Sequence, residues 1–346
     1  MEGTVTKIRS VLCEVSAAGR TYECRVRGRL VESDTGESKP LAVGDRIVFT
    51  PTEEGEGVVE EVCPRRTKLS RRFPRDPRIE HVIVANVDQL LIVASVRKPP
   101  LTPGIIDRYV IAGEAGGIEP VVCINKIDLA KDESEYADVA NIYREMEYAV
   151  LLTSATQRTG LEALKDVLRE KSTVLAGHSG VGKSALINAI QPGLRLRTGP
   201  VRQKGRHTTT SVSLLTLDIG GYVVDTPGIR EFTLWDIEKR DVAQFFPHIW
   251  ELSADCRMPD CLHTHEPGCA VKEAVEAGDL PPDRYDSYVR IVETTEEQRV
   301  PRETDVEEPT EQVAKVKRTP SRRKRRQDLR RIGRRELEDI EDEEPE

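Results

Sequence analysis

Short stretches in which apolar and polar residues alternate occupy the first sixty positions: TVTKI, VLCEV, TYECRVRG, DRIVF and GVVEEV. Gly- and Asp-containing breaks (AAGR, SDTGES, VGD) separate them. Alternation at period two turns one face of each stretch to a core and the other to water, so residues 1–66 are expected to form a small antiparallel β module. Five short strands suit an OB-like barrel, and an SH3-like barrel would show the same pattern. The next segment, PRRTKLSRRFPRDPR at 64–78, is basic and interrupted by prolines; it reads as a linker or a ligand-facing loop.

From HVIVANVDQLLIVAS onward the pattern changes to near-continuous apolar runs: 87–95, 119–125, 147–155 and 172–177. Helix candidates PGIIDRYVIAGEAG, SEYADVANIYREM and GLEALKDVLREK lie between them. Apolar strands alternating with helices predict a mainly parallel sheet covered on both faces, here over 67–240. SVSLLTLD and GGYVVDTPG, joined by a Gly-containing turn, read as a hairpin added to that sheet. Strand signals stop after about 240, and 241–298 is expected to be a small helical module around a Cys/His-rich stretch. Beyond it, 299–346 is a charged tail, basic in KVKRTPSRRKRRQDLRRIGRR and acidic in ELEDIEDEEPE. It has too little apolar surface to offset ordering entropy and is expected to be disordered.

Composition adds constraints. Charged residues are 32% and aromatics 4% of 346 residues, and the net charge is −8, which excludes a uniformly basic nucleic-acid binder but not one with basic blocks. The N-terminus lacks the apolar core of a signal peptide, and no run approaches the roughly 18 apolar residues of a membrane span, so a cytoplasmic chain with no membrane partner is expected. Of the seven cysteines, Cys13, Cys24, Cys63 and Cys123 read as small buried residues.

The segment GHSGVGKS, 177–184, matches the phosphate-loop pattern directly after an apolar strand and before a helix. Gly177 and Gly182 would let the backbone wrap phosphates, Lys183 would reach the β and γ phosphates, and the Ser184 hydroxyl would ligate Mg²⁺. In YVVDTPG, Asp225 ends a strand where it would hold Mg²⁺ through water, with Gly228 at the position that senses the γ phosphate. GRHTTT between them offers a loop threonine for Mg²⁺ and the γ phosphate, Thr209 first and Thr208 second. NKID, 125–128, follows an apolar strand: the Asp128 carboxylate accepts from guanine N1–H and N2–H₂ together, a donor pair adenine lacks, which disfavours an ATP-dependent reading. Asn125 would brace that loop, the Lys126 stem would cover the base, and the backbone near Ser154 and Ala155 would donate to O6. The base-reading box thus precedes the phosphate loop, the reverse of the ordinary order, and implies a circular permutation. A sheet tolerates this when the old termini can be joined, and GLEALKDVLREK would supply the join.

CRMPDCLHTHEPGC, 256–269, sets Cys256, Cys261, His263 and Cys269 within fourteen residues, a ligand set that suits one tetrahedral structural Zn²⁺; His265 is a rival fourth ligand by spacing.

With NKID before GHSGVGKS, then GRHTTT and DTPG, then the Cys-Cys-His-Cys cluster behind a β barrel, the chain over about 1–295 resembles the RsgA (YjeQ) family of circularly permuted, small-ribosomal-subunit-dependent GTPases. The resemblance implies an OB-fold domain, a permuted GTPase domain and a zinc-binding domain in a monomer that acts in late maturation of the 30S subunit and contacts 16S rRNA. By position it implies that Asn125, Lys126, Ile127 and Asp128, with Gly177, His178, Ser179, Gly180, Val181, Gly182, Lys183, Ser184 and Ala185, bind GTP or GDP. Ile229 stands where Ras-like enzymes keep a water-orienting glutamine, and an apolar side chain cannot orient water. In the family the threonine-loop histidine, here His207, is the substitute, so the resemblance makes His207, Lys183 and Thr209 the catalytic candidates. A different class of function remains open: an RNA-binding scaffold regulated by GTP, with little hydrolysis of its own.

Overall fold

A computed structural model describes residues 1–9, 12–31, 37–53, 55–73, 76–194, 212–225 and 234–297. The alternating segments become β1 (Glu2–Arg9), β2 (Leu12–Ala17), β3 (Arg20–Val26), β4 (Arg46–Pro51) and β5 (Glu56–Val62), with one helical turn, α1 (Gly28–Val31), after β3. β1, β2 and β3 form an antiparallel meander, β3 pairs with β5 in parallel, and β4 pairs with both β5 and β1. That order closes a Greek-key barrel of the OB type. Alternation could not separate OB from SH3 closure, because either one buries a single face of each strand. The inner face places Val5, Val15, Ile47, Phe49 and Val59 at 0% exposure. Cys13 and Cys24 face each other across β2 and β3, and burial pushes their thiols up to about 12 and about 11. They are packing residues, as is the fully buried Cys123; Cys63, expected to be buried, lies half-exposed just past the end of β5.

The basic segment is not a linker. β6 (Lys68–Phe73) and β7 (Asp76–Ala85) pair antiparallel as a separate two-stranded hairpin. Strand pairing is made by the backbone and does not require apolar side chains on an open face, while Pro77 enters at the second residue of its strand, where a missing N–H is tolerated. Arg65 anchors the start of this segment to the barrel. Its guanidinium donates to both Asp45 oxygens at 2.7 and 2.9 Å and to both Glu37 oxygens at 2.8 Å, and Asp45 is fully buried.

The apolar runs become β8 (Gln89–Ser95), β9 (Glu119–Asn125), β10 (Ala149–Leu152) and β11 (Ser172–Ala176), and the expected hairpin becomes β12 (Ser213–Thr216) and β13 (Tyr222–Asp225). The helices are α2 (Pro103–Ala115), α3 (Ser134–Glu145), α4 (Leu161–Leu168) and α5 (Lys183–Ile190). The sheet runs β10-β9-β8-β11-β13-β12, parallel except for β12, whose Ser213 pairs with Lys7 of β1 and so continues the sheet into the barrel. Consecutive strand residues alternate between two cores. Leu90, Ile92 and Val122 pack with Ile106 and Val110 of α2, whereas Leu91, Val93 and Val121 pack with Leu164 of α4 and Leu186 of α5. This two-sided burial is why the strands read as unbroken apolar runs.

After residue 234 the chain forms a 3₁₀ segment (Lys239–Phe245), α6 (Pro247–Leu252), the cysteine loop, α7 (Ala270–Ala277) and α8 (Pro282–Glu297). No helix among the described residues is long and apolar enough to cross a membrane. The charged tail, 299–346, lies outside the described residues.

Candidate functional site

The strand β11 ends at Ala176, and Gly177 turns the chain into a loop that enters α5 at Lys183. Two glycines are required here by space as well as by dihedral angle. Gly177 has φ +130°, and a Cβ on it would lie 2.0 Å from the Val93 carbonyl oxygen; Gly182 has φ +103°, and its Cβ would lie 2.3 Å from Asn125 Nδ2. The Lys183 ammonium folds back over the loop and donates to the carbonyls of Gly177 at 2.6 Å and His178 at 3.1 Å. Ser184 and Ala185 follow, half-buried in the first turn of α5, and Val181 is buried beneath the loop.

NKID is built against this loop. Asn125, 1% exposed at the end of β9, donates from Nδ2 to the Val181 carbonyl at 2.9 Å and accepts from the Thr153 hydroxyl at 3.2 Å. Lys126, in the left-handed region at φ +60°, donates to the Gly180 carbonyl at 2.6 Å and to the Lys98 carbonyl. Burial lowers the Lys126 pKa, Asp128 opposes that shift and Lys98 adds to it. A 3₁₀ turn, Ile127–Leu129, carries Asp128, whose two oxygens accept from the Ser154 hydroxyl at 2.5 Å and the Thr156 hydroxyl at 3.2 Å. The carboxylate is thereby oriented before any base arrives. Motifs some fifty residues apart in the chain are joined by two direct hydrogen bonds and one steric contact.

Some of these partners were not anticipated. Thr153, Thr156 and the Lys98 carbonyl complete the base loop; the hydroxyls of the TSAT run after β10 were the only signal in the sequence. The Ser154 N–H donates to Thr159 at 3.1 Å, so of the two amides expected near O6 it already has a partner.

β13 neighbours β11, and the register pairs Val174 with Val224 in parallel, so the backbone of Asp225 ends one strand over from the phosphate loop. The Asp225 side chain lies outside the described residues, as do His207, Thr208, Thr209, Gly228 and Ile229.

The cysteine loop brings one donor atom each from Cys256, Cys261, His263 and Cys269 within 4.8 Å of one another. The Cys256 Sγ to His263 Nδ1 distance is 3.4 Å, Cys269 Sγ to His263 Nδ1 is 3.5 Å, and Cys256 Sγ to Cys269 Sγ is 3.9 Å. Tetrahedral Zn²⁺ with thiolate and imidazole bonds of about 2.3 and 2.0 Å sets edges of about 3.8 Å between sulfurs and about 3.5 Å from sulfur to nitrogen. The cluster fits zinc. His265, the rival ligand, is exposed, and its Nδ1 meets the Thr264 hydroxyl at 2.9 Å. Glu266 fastens the loop. Burial alone would raise its pKa, but the backbone N–H groups of Leu262, Thr264 and His265, among others, hold it near 2.

A mainly parallel sheet whose strand-to-helix loop matches the phosphate-loop pattern, clamped to an NKID loop that precedes it in the chain, is the arrangement of a circularly permuted P-loop GTPase. The RsgA GTPase family profile matches residues 62–235, and the RsgA N-terminal domain profile matches residues 2–59. The chain belongs to the RsgA GTPase family and is a GTP-hydrolysing enzyme. A curated relative from Gemmatimonas aurantiaca, named small ribosomal subunit biogenesis GTPase RsgA, is 44% identical over 278 residues, 79% of this chain and 90% of the relative. The crystal structure of YjeQ from Thermotoga maritima is 37% identical and superposes with a TM-score of 0.68, covering 86% of this chain and 99% of that one. YloQ, described as a circularly permuted GTPase, is 34% identical with a TM-score of 0.63, covering 87% of this chain and 96% of that one.

Proposed function

We propose that the chain acts in biogenesis of the small ribosomal subunit, hydrolysing GTP to GDP and phosphate while bound to the 30S particle and its 16S rRNA. The observation that carries the nucleotide part is the clamp of Asn125 and Lys126 on Val181 and Gly180, which joins base reading to phosphate binding in one rigid unit. Relatives named for small-subunit biogenesis over nearly their whole length support the partner.

In this reading Asp128 selects guanine, the Ala155 amide serves O6, and the 177–185 backbone with Lys183 cradles the phosphates. Ser184, Asp225 and Thr209 would hold Mg²⁺, which would supply neutralising charge to the phosphates. His207 takes part in placing water, because Ile229 cannot. Cys256, Cys261, His263 and Cys269 hold one structural Zn²⁺ per chain, and a complete protein ligand set leaves that ion no open position for chemistry. Seven unpaired cysteines are consistent with a reducing cytoplasm, where the chain works as a monomer.

The test is GTP turnover by the intact protein with and without isolated small subunits. Stimulation that Lys183→Ala abolishes is expected. Subunit binding indifferent to GTP or GDP, with no turnover in either case, would replace this reading with that of an RNA-binding scaffold.

A further inference from the structure

Asp107 and Tyr109 stand two residues apart on α2, about 200° around the helix, so they face opposite sides. Both are 2% exposed. On one side a hydrogen bond joins the Tyr109 hydroxyl to the Gly177 backbone, the first residue of the phosphate loop. Tyr109 and Ile106 line a cavity of about 320 Å³ there, together with Gly177, His178 and Val181.

On the other side Asp107 is held by α8 and by Tyr143 of α3. Its Oδ1 accepts from Arg284 at 2.5 Å and from the Tyr143 hydroxyl at 3.0 Å, and its Oδ2 accepts from the Ser287 hydroxyl at 2.5 Å. Arg284 is 6% exposed, and its guanidinium lies 4.3 Å from the centre of the Phe246 ring. The same helix grips the cysteine loop: the hydroxyls of Tyr285 and Tyr288 donate to the carbonyls of His263 at 2.8 Å and Leu262 at 2.9 Å.

Stability alone is a poor explanation for a buried ion pair at this junction, since apolar side chains of similar volume often do as well. What directional contacts add is a single allowed orientation. Two of them, from Arg284 and Ser287 to the two oxygens of one carboxylate, fix how α2 is rotated and how far it is advanced along its axis relative to α8, and the third ties the same carboxylate to Tyr143 of α3. On the far face of that rigid helix, the Tyr109 hydroxyl then fixes Gly177, whose carbonyl is one of the two that receive the Lys183 ammonium.

We propose that Tyr109 is a positioning residue for the phosphate loop, and that Asp107, through Arg284 and Ser287, makes the placement of Tyr109 depend on the C-terminal module. Nucleotide affinity and the docking of α8 are therefore energetically linked, and the link is reciprocal: a partner that shifts the C-terminal module changes nucleotide affinity by the factor that nucleotide changes the partner's. The inference rests on the assignment of 177–184 as the phosphate loop and goes beyond it in naming residues that touch no nucleotide atom.

The experiment is a double-mutant cycle on the affinity of the full chain for a fluorescent GDP analogue, well below the unfolding temperature of every variant. Tyr109→Phe is expected to weaken binding about threefold to tenfold, the range for one lost hydrogen bond. Ser287→Ala, a mild change far from the nucleotide, should weaken it about twofold to fivefold, and should have no further effect in the Tyr109→Phe background. Amides of 177–181 should exchange faster in both single variants, a readout that a purely structural role at α8 would not move. Unchanged affinity in either single variant, or fully additive effects in the double, would overturn the proposal. Lys183→Ala separates the underlying assignment: if that variant binds GDP as the parent does, the phosphate-loop reading fails, whatever Tyr109 does.

Discussion

Truncating Asn125 to alanine tests whether the two nucleotide motifs work as one unit. The side chain is 1% exposed and makes two hydrogen bonds, Nδ2 to the Val181 carbonyl at 2.9 Å and Oδ1 from the Thr153 hydroxyl at 3.2 Å. Leaving a buried polar group without its partner costs about 1–3 kcal/mol. The Val181 carbonyl falls in that range. Thr153 falls at its lower end, because its hydroxyl keeps the Cys123 thiol at 3.3 Å. The sum is about 2–4 kcal/mol, and at about 1.4 kcal/mol per decade it weakens GDP and GTP binding about 30-fold to several hundredfold. Lys126 still ties the loops through Gly180, which bounds the effect from above. Asn125→Asp should be no better, since it keeps the shape but sets a carboxylate against the Val181 carbonyl. The assay is titration with a fluorescent GDP analogue, with thermal unfolding run alongside to show that each variant is folded at the assay temperature. Affinity within about threefold of the parent in folded Asn125→Ala would refute the reasoning, because the amide would then be a packing residue of β9 and not a clamp.

Asp128→Asn exchanges an acceptor for a donor opposite guanine N1–H and N2–H₂, so guanine nucleotides should bind about a hundredfold or more weaker and xanthine nucleotides should gain; competition binding between the two decides. Arg65→Ala leaves the fully buried Asp45 without its cation and should cost about 3 kcal/mol or more, read as a lowered urea midpoint. His81 is held neutral in the fold, with its pKa lowered to about 4 by burial first and by Arg71 and Lys39 next. Between pH 6.5 and 4 the unfolded chain therefore takes up a proton that the folded chain refuses, and stability falls as pH drops through that window. His81→Gln should flatten this slope in urea titrations at pH 7 and pH 5, and an unchanged slope counts against the assignment. Metal analysis should find one zinc per chain, lost together with thermal stability in Cys261→Ser.

Much of this protein could be read from residues near one another in the chain. Period-two alternation specified the barrel strands, and unbroken apolar runs specified strands buried on both faces, because burial acts on each side chain where it stands. Lys183 and Asp128 stood out as candidates because phosphate and guanine demand particular donors and acceptors at short fixed spacings. Sequence also named the four side chains that the fold gathers into one cluster but left His265 as a rival, since spacing says which side chains can reach a point and not which way they turn. The segment 64–78 was misread as a linker or loop, because backbone pairing left no apolar signature in its basic residues. His207, Thr209 and Gly228 were named from the sequence and lie outside the described residues. Partner choice across the fold was decided only in three dimensions. The parallel β3–β5 contact that makes the barrel an OB fold, the Gly182–Asn125 contact that joins the permuted motifs, and the Asp107–Arg284 pair, 177 residues apart, depend on how whole elements pack. Local chemistry determines what each residue needs. Only the packed chain determines which distant residue supplies it, because that choice is made by the whole set of contacts that can be satisfied at once.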